Sequence, residues 1–282
     1  MLRMDSDLSG FLQSRRGRIQ PEDVGLPSHG RRRVPGLRRE EVAQLAGVSV
    51  DYYIRLEQGR GHNVSDAVLD SIARVLRLDD TEQEHLRALA RPARTARAAS
   101  RPSLRVRPGL RLLLDMMSGP AFVLGRRMDA LAWNALADAV CGFSEYPDGE
   151  CNIARSVFLD EQARGLYPDW NAVAAETVAY LRLDAGRHPD DQRMAALIGE
   201  LSLKSEEFRR LWADHLVAEK TYGVKRIAHP VVGDLEFGYE TLALPGDPDQ
   251  TLVAYTVAPG STTAERLALL ASWTTAPAVR PR

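Results

Sequence analysis

A chain of 282 residues, 44% apolar and 27% charged, is long for one small domain and predicts two; no apolar run approaches the roughly 18 residues of a membrane span. Net charge is −1, but residues 1–107 hold 20 Arg and no Lys against 14 acidic residues, a balance of +6, while residues 108–282 balance at −7. A basic front and an acidic back point to a nucleic-acid module joined to something that avoids nucleic acid.

In chain order, Asp7 to Arg16 reads as a helix with Leu8, Phe11 and Leu12 apolar. Residues 17–36 are rich in Gly, Pro and Arg, and their Arg31, Arg32 and Arg33 run is expected to be a phosphate-contacting arm. Leu37 to Ala46 is a second helix with Val42, Leu45 and Ala46 on its inner face. Gly47 supplies a left-handed stop, Val48 docks across the turn, and Ser49 caps a third helix whose inward positions are Tyr53 and Leu56. Gly59 closes it. Two short helices around a tight glycine turn make a helix-turn-helix, whose second helix enters the major groove. A fourth helix runs from Ser65 or Asp66 to Leu78, and Thr81–Glu84 reads as the capping box of a fifth. Residues 92–107 alternate Arg with small residues and Pro, which predicts a linker between a domain at 1–91 and another at 108–282.

The runs V-A-Q-L-A-G-V-S and Y-I-R-L-E-Q-G resemble the lambda-repressor-like (XRE) helix-turn-helix family, which implies an all-α five-helix fold that binds double-stranded DNA. On that docking Ser49 starts the reading helix, and Val50, Asp51, Tyr52 and Ile54 face away from Tyr53 and Leu56 toward base edges. Asp51 also suits the first turn of its helix, where negative charge is favourable. Arg38, Arg39 and Arg55 suit phosphate or guanine, because a guanidinium is a rigid bidentate donor. Glu57 is expected to pair with a nearby Arg.

The second domain mixes element types. Leu110–Met117 predicts an entry helix, A-F-V-L-G and A-L-A-W two short strands, and Asn134 a cap for Ala135–Val140. Helices follow at 170–183, 191–201 and 205–217. Beyond Tyr222 the period becomes two, with Leu235, Phe237 and Tyr239 and then Val253, Tyr255 and Val257 on one side. A last helix from Thr262, with Glu265 completing its capping box, ends at Trp273. This is an α+β domain with an antiparallel sheet.

The stretches P-A-F-V-L-G-R-R-M-D-A-L-A-W-N at 120–134, R-G-L-Y-P-D-W-N at 164–171, H-P-V-V-G at 229–233 and L-P-G-D-P-D-Q-T-L-V-A-Y-T at 244–256 resemble the MmyB-like (MltR-type) bacterial regulators. That resemblance implies a PAS-like domain holding a small apolar ligand such as a fatty acid, in a pocket between sheet and helices. Its expected walls are Phe122, Leu124, Trp133, Phe237, Tyr239 and Tyr255, with Asn134, His215 or Arg226 fixing a polar head.

The resulting expectation is a cytoplasmic, homodimeric bacterial transcriptional regulator of DNA, with a ligand-sensing C-terminal domain and no required cofactor. The alternative is a regulator whose second domain only dimerises or binds protein. An enzyme is disfavoured, since no G-x-S-x-G, P-loop or H-E-x-x-H occurs. The cytoplasmic expectation rests on the start M-L-R-M-D-S-D, which has no secretory apolar region. Cys141 and Cys151 match no zinc spacing and no metal is expected.

Overall fold

The computed structural model describes residues 4–27, 36–60, 64–90, 105–147, 150–219 and 221–274. The expected Arg31–Arg33 arm and most of the expected 92–107 linker lie outside the described residues. The elements in chain order are α1 (Met4–Arg18), α2 (Arg39–Ala46), α3 (Val50–Glu57), α4 (Asp66–Val75), α5 (Asp80–Ala90), α6 (Pro108–Met116), β1 (Ala121–Gly125), β2 (Ala130–Trp133) and α7 (Ala135–Cys141). Then come α8 (Ile153–Leu159), α9 (Glu161–Leu166), α10 (Trp170–Arg187), α11 (Gln192–Lys204), α12 (Glu206–Ala213), β3 (Tyr222–His229), β4 (Gly233–Ala243), β5 (Gln250–Thr256) and α13 (Thr262–Thr274). Among the described residues no helix is long and apolar enough to cross a membrane.

Two compact units result, each gathering segments distant in sequence. The first gathers the described residues up to Ala90 with Val178–Ala195 and Arg210–Glu219, and the second holds the remaining described residues from 105 onward. Packing explains the exchange. Leu183 and Val217 join the apolar cluster of Phe11, Leu12, Tyr53, Leu56, Ile72 and Leu86. Each of these large side chains contributes roughly 1.5–3 kcal/mol by leaving water.

Within the first unit, the caps set where helices begin. Gly47 stands at φ 70° after α2, and Ser49 Oγ accepts from the Tyr52 N–H at 3.2 Å to start α3. Ser65 Oγ does the same for Val68 at 3.4 Å. The fifth helix corrects the Thr81–Glu84 capping box. Asp79 Oδ1 accepts from the Glu82 N–H at 2.8 Å and Glu82 Oε2 accepts from the Asp79 N–H at 3.2 Å, so the same motif operates two residues earlier. A second correction concerns α2: Leu45 is exposed, and Ala43 is buried beside Val42 and Ala46. The small Ala43 side chain lets α2 sit close to its neighbours.

The second unit is built on a five-stranded antiparallel sheet in the order β2-β1-β5-β4-β3. On one face Phe122, Leu124, Phe237, Leu235, Ile227 and Val253 pack with α7 and α13. On the other, Val123, Ala132 and Leu252 meet Leu110 and Leu114 of α6. Asn134 joins the layers. Its Oδ1 accepts from the N–H groups of Ala137 (2.9 Å) and Ala121 (3.1 Å), and its Nδ2 donates to Gly119 O at 2.8 Å. Sequence periodicity left 142–169 without elements, yet α8 and α9 form there, capped by Asn152 and Asp160. Both are under eight residues, too short to show a periodic stripe. At α13 the cap is Ser261, whose Oγ accepts from Ala264 N–H at 3.2 Å, rather than a Thr262–Glu265 box.

Candidate functional site

Two surfaces follow from these elements, one in each unit. In the first, α3 divides cleanly by its 3.6-residue period: Tyr53, Leu56 and Glu57 are buried, whereas Ser49, Val50, Asp51 and Arg55 are exposed and Tyr52 and Ile54 half-buried. The positions expected to read bases therefore share the outer face of α3. Arg38 is exposed just before α2, where its own N–H is held by Glu41 Oε2 at 2.6 Å. Arg55 Nε donates to the Asp51 carbonyl at 3.3 Å, which lays its guanidinium along the outer face.

Arg39 is placed differently from its neighbours. Its Nε donates to Glu57 Oε1 at 2.8 Å, and Arg16 holds the same carboxylate through Nε at 3.1 Å and Nη2 at 3.2 Å. Glu57 is fully buried and Arg39 is 42% exposed. Arg16 also donates to Leu37 O at 2.6 Å. One buried carboxylate thus ties the end of α1, the entry to α2 and the end of α3, and Glu57 is structural as its sequence context suggested. Arg39 fixes the geometry of the reading helix with part of its guanidinium and offers the remainder to solvent.

The second surface is a cavity between the sheet and the helical segment α8–α10. Its walls are Phe122, Cys141, Phe143, Tyr146, Cys151, Ile153, Ser156, Leu166, Tyr167, Val173, Thr177, Lys225 and Tyr255. Aromatic contacts hold the walls: Phe122 stands edge-on to Phe143 at 5.2 Å and to Tyr255 at 5.6 Å, and Tyr255 stacks on Phe237 at 5.0 Å. Tyr146 Oη donates to Ser156 Oγ at 3.0 Å.

Burial pushes the Tyr146, Tyr167 and Tyr255 phenols up, and pushes the Cys151 thiol up to about 11 with help from Asp129 and Asp138. These groups stay protonated at neutral pH. The Tyr167 and Tyr255 hydroxyls can donate hydrogen bonds to a ligand, and the Cys151 thiolate is too scarce to act as a nucleophile. Among the described residues, the cavity wall carries one Lys or Arg side chain, that of Lys225.

Of the nine expected ligand residues, Phe122 and Tyr255 line the cavity. Phe237 and Trp133 stand one ring behind it, against Tyr255 and Phe143, and Leu124 is buried in the same apolar cluster. Tyr239 packs over the bare backbone of Gly223. The three expected polar anchors are all corrected. Asn134 is committed to backbone groups of α6, β1 and α7. Arg226 is exposed and pairs with Glu236 at 2.9 Å and Asp169 at 3.4 Å. His215 belongs to the first unit, where its Nδ1 lies 3.2 Å from Arg182 Nη1 and its carbonyl accepts from Arg15 at 2.8 Å. Sequence reasoning missed Lys225, the neighbour of Arg226 on the other face of β3. The signal was present in the strand's phase, since Lys225, Ile227 and His229 are buried while Val224 and Arg226 are exposed.

No group of three or more His, Cys, Asp or Glu is arranged to hold a metal ion among the described residues. Two family models match the chain. One, described as the MmyB-like transcription regulator ligand binding domain, matches residues 106–270. The other, described as a helix-turn-helix domain, matches residues 7–86. The comparison with curated proteins finds no match.

Proposed function

This chain belongs to the MmyB-like transcription regulators, a DNA-binding helix-turn-helix joined to a ligand-binding domain, and on that premise we propose how its two ends work. The outer face of α3 reads an operator in the major groove, with Val50, Asp51, Tyr52 and Ile54 at base edges and Arg38 and Arg55 on phosphate or guanine. A small, largely apolar ligand of the fatty-acid kind occupies the Phe122–Tyr255 cavity and changes the affinity for DNA by preferring one state of the protein. The observation that carries the ligand reading is the cavity itself, whose wall gathers aromatic and aliphatic side chains around a few hydroxyls and the Lys225 ammonium. The protein works in the cytoplasm as a homodimer, because helix-turn-helix proteins read paired half-sites with two-fold symmetry. Exposed Leu112, Leu113 and Met116 on α6 supply apolar surface suited to such an association.

The test is selection of bound sequences from random duplex DNA by the full chain, before and after removal of co-purifying small molecules, with native mass spectrometry of both samples. A stoichiometric small molecule, a dimer mass and an enriched motif that changes with Asp51→Ala are the expected results. An Asp51→Ala protein that enriches the wild-type motif unchanged removes Asp51 from base reading. Repeated preparations that bind DNA as an intact dimer with no ligand, and bind none when offered, favour a second domain that only assembles.

A further inference from the structure

The cavity holds a buried cation whose counter-ion is poorly placed. Lys225 is 5% exposed, lies on β3 directly opposite Phe237 in the strand register, and lines the cavity with its neighbours Tyr167 and Tyr255. Its Nζ stands 5.8 Å from the Tyr167 ring centroid. Among the described residues it meets one carboxylate, Glu176 Oε2 at 3.4 Å, and Glu176 is itself 44% exposed on α10. A charge-assisted N–H···O contact between well-matched groups is about 2.7–2.9 Å. An ammonium has three donors, and placing it in an apolar wall is costly unless an anion meets it closely. A long contact to a half-exposed glutamate is a weak version of that partnership, because the solvated carboxylate loses little by turning outward to water.

Resting on the ligand reading above, we propose that Lys225 is the anchor for an acid group on the ligand, and that Glu176 is the counter-ion this acid displaces. The cavity would then select a monoanionic organic acid with an apolar body over the neutral molecule of the same shape. The phenols of Tyr167 and Tyr255 in the same wall support the same class, since each can donate to an acid oxygen and neither brings negative charge. Glu176 works against the ligand: in the unliganded protein it competes for the ammonium, so it sets how much affinity the acid group contributes.

The test compares two probes that differ only in the head group, dodecanoate and dodecan-1-ol, titrated into the full chain stripped of lipid. Lys225→Met should weaken dodecanoate by roughly ten- to a hundred-fold, the range expected for a hydrogen bond to a charged group, and change dodecanol by less than about two-fold. Glu176→Gln should tighten dodecanoate by a few-fold and leave dodecanol unchanged. If Lys225→Met does not fold, Glu176→Gln and Lys225→Arg decide the matter, because both keep a cation in the wall and only an acid group responds to them. Equal effects on the two probes, or a dodecanoate affinity indifferent to Glu176→Gln, overturn the anchor while leaving an apolar pocket standing. Binding of neither probe to the wild-type chain overturns the ligand reading, and the anchor with it.

Discussion

Removing the Glu57 carboxylate is the sharpest way to ask what holds the reading helix in position. Glu57 has no exposed side-chain surface and takes three N–H contacts from two guanidinium groups, at 2.8, 3.1 and 3.2 Å. Arg16, only 12% exposed, would be left as a buried cation with the Leu37 carbonyl as its remaining acceptor. Breaking one side of a buried pair costs about 3–5 kcal/mol, because the abandoned charge keeps its desolvation penalty. Glu57→Gln retains shape and one acceptor oxygen, so the lower end, about 3 kcal/mol, is expected. At roughly 4–8 °C per kcal/mol for a unit near 100 residues, the first unit should melt more than 10 °C lower. Thermal unfolding followed by hydrogen exchange on α2 and α3 reads that unit separately from the second. Burial also ranks the partners: Arg16→Ala should destabilise more than Arg39→Ala, whose side chain is partly solvated. A Glu57→Gln loss under about 3 °C, or the reverse ranking, refutes the argument that this carboxylate locks the helix-turn-helix.

Two further outcomes concern the same unit. A Cβ at Gly186 of α10 would come within 2.6 Å of the His85 ring, which is fully enclosed and cannot retreat, so Gly186→Ala should destabilise by about 1–2 kcal/mol in denaturant melts. Overpacking of roughly 1–3 kcal/mol outweighs the helix-propensity gain of about 1 kcal/mol, and a stabilised variant would contradict this. Burial, reinforced by Arg182 and Arg15, holds His85 down to about 3, so the fold keeps it neutral while the unfolded chain takes a proton below about pH 6.5. Stability is therefore full above that pH and falls on acidification, by about 2 kcal/mol between pH 6.5 and 5 for this one group. His215, held down to about 4, acts in the same direction with a smaller weight because it is only half-buried. His85→Leu should flatten the stability profile over that window, and an unchanged slope would sink the assignment.

Much of this molecule was legible where local chemistry decides structure. Gly47, Ser49 and the inward Tyr53 and Leu56 specify a turn, a cap and a core face within ten residues, and the structure realises each. The strands were legible for the same reason, since Leu235, Phe237 and Tyr239 alternate with exposed or backbone-only positions. The cavity was not. Its lining comes from β1, α7–α10, β3 and β5, and no local rule says which buried aromatics face a void and which face one another. Tyr255 and Phe237 stack together, yet only Tyr255 reaches the cavity. The polar anchors failed for a simpler reason. A one-residue step along β3 exchanges the two faces, so Arg226 and Lys225 have opposite environments despite similar chemistry. His215 was out of reach altogether, because residues 210–219 pack with the first unit through contacts some 200 residues apart in sequence.

That exchange of segments bears on how a signal can pass. Helix α10 contributes Val173, Glu176 and Thr177 to the unit with the cavity, while Val178–Arg187 of the same helix belong to the unit that carries α3. Leu183 is buried in the apolar cluster of α1, α3 and α4, and Arg187 pairs with Glu84 of α5 at 2.8 Å. On the proposed anchor, a ligand acid that draws Lys225 from Glu176 acts on the early turns of a helix whose later turns group with the DNA-binding unit. It shifts DNA affinity only to the extent that it binds two arrangements of that element unequally. Coupling of 1–3 kcal/mol, about 5- to 150-fold, is the usual scale. Linkage then requires operator DNA to change the ligand's affinity by the same factor in the same direction, so the sign of regulation is fixed at the cavity as much as at the groove.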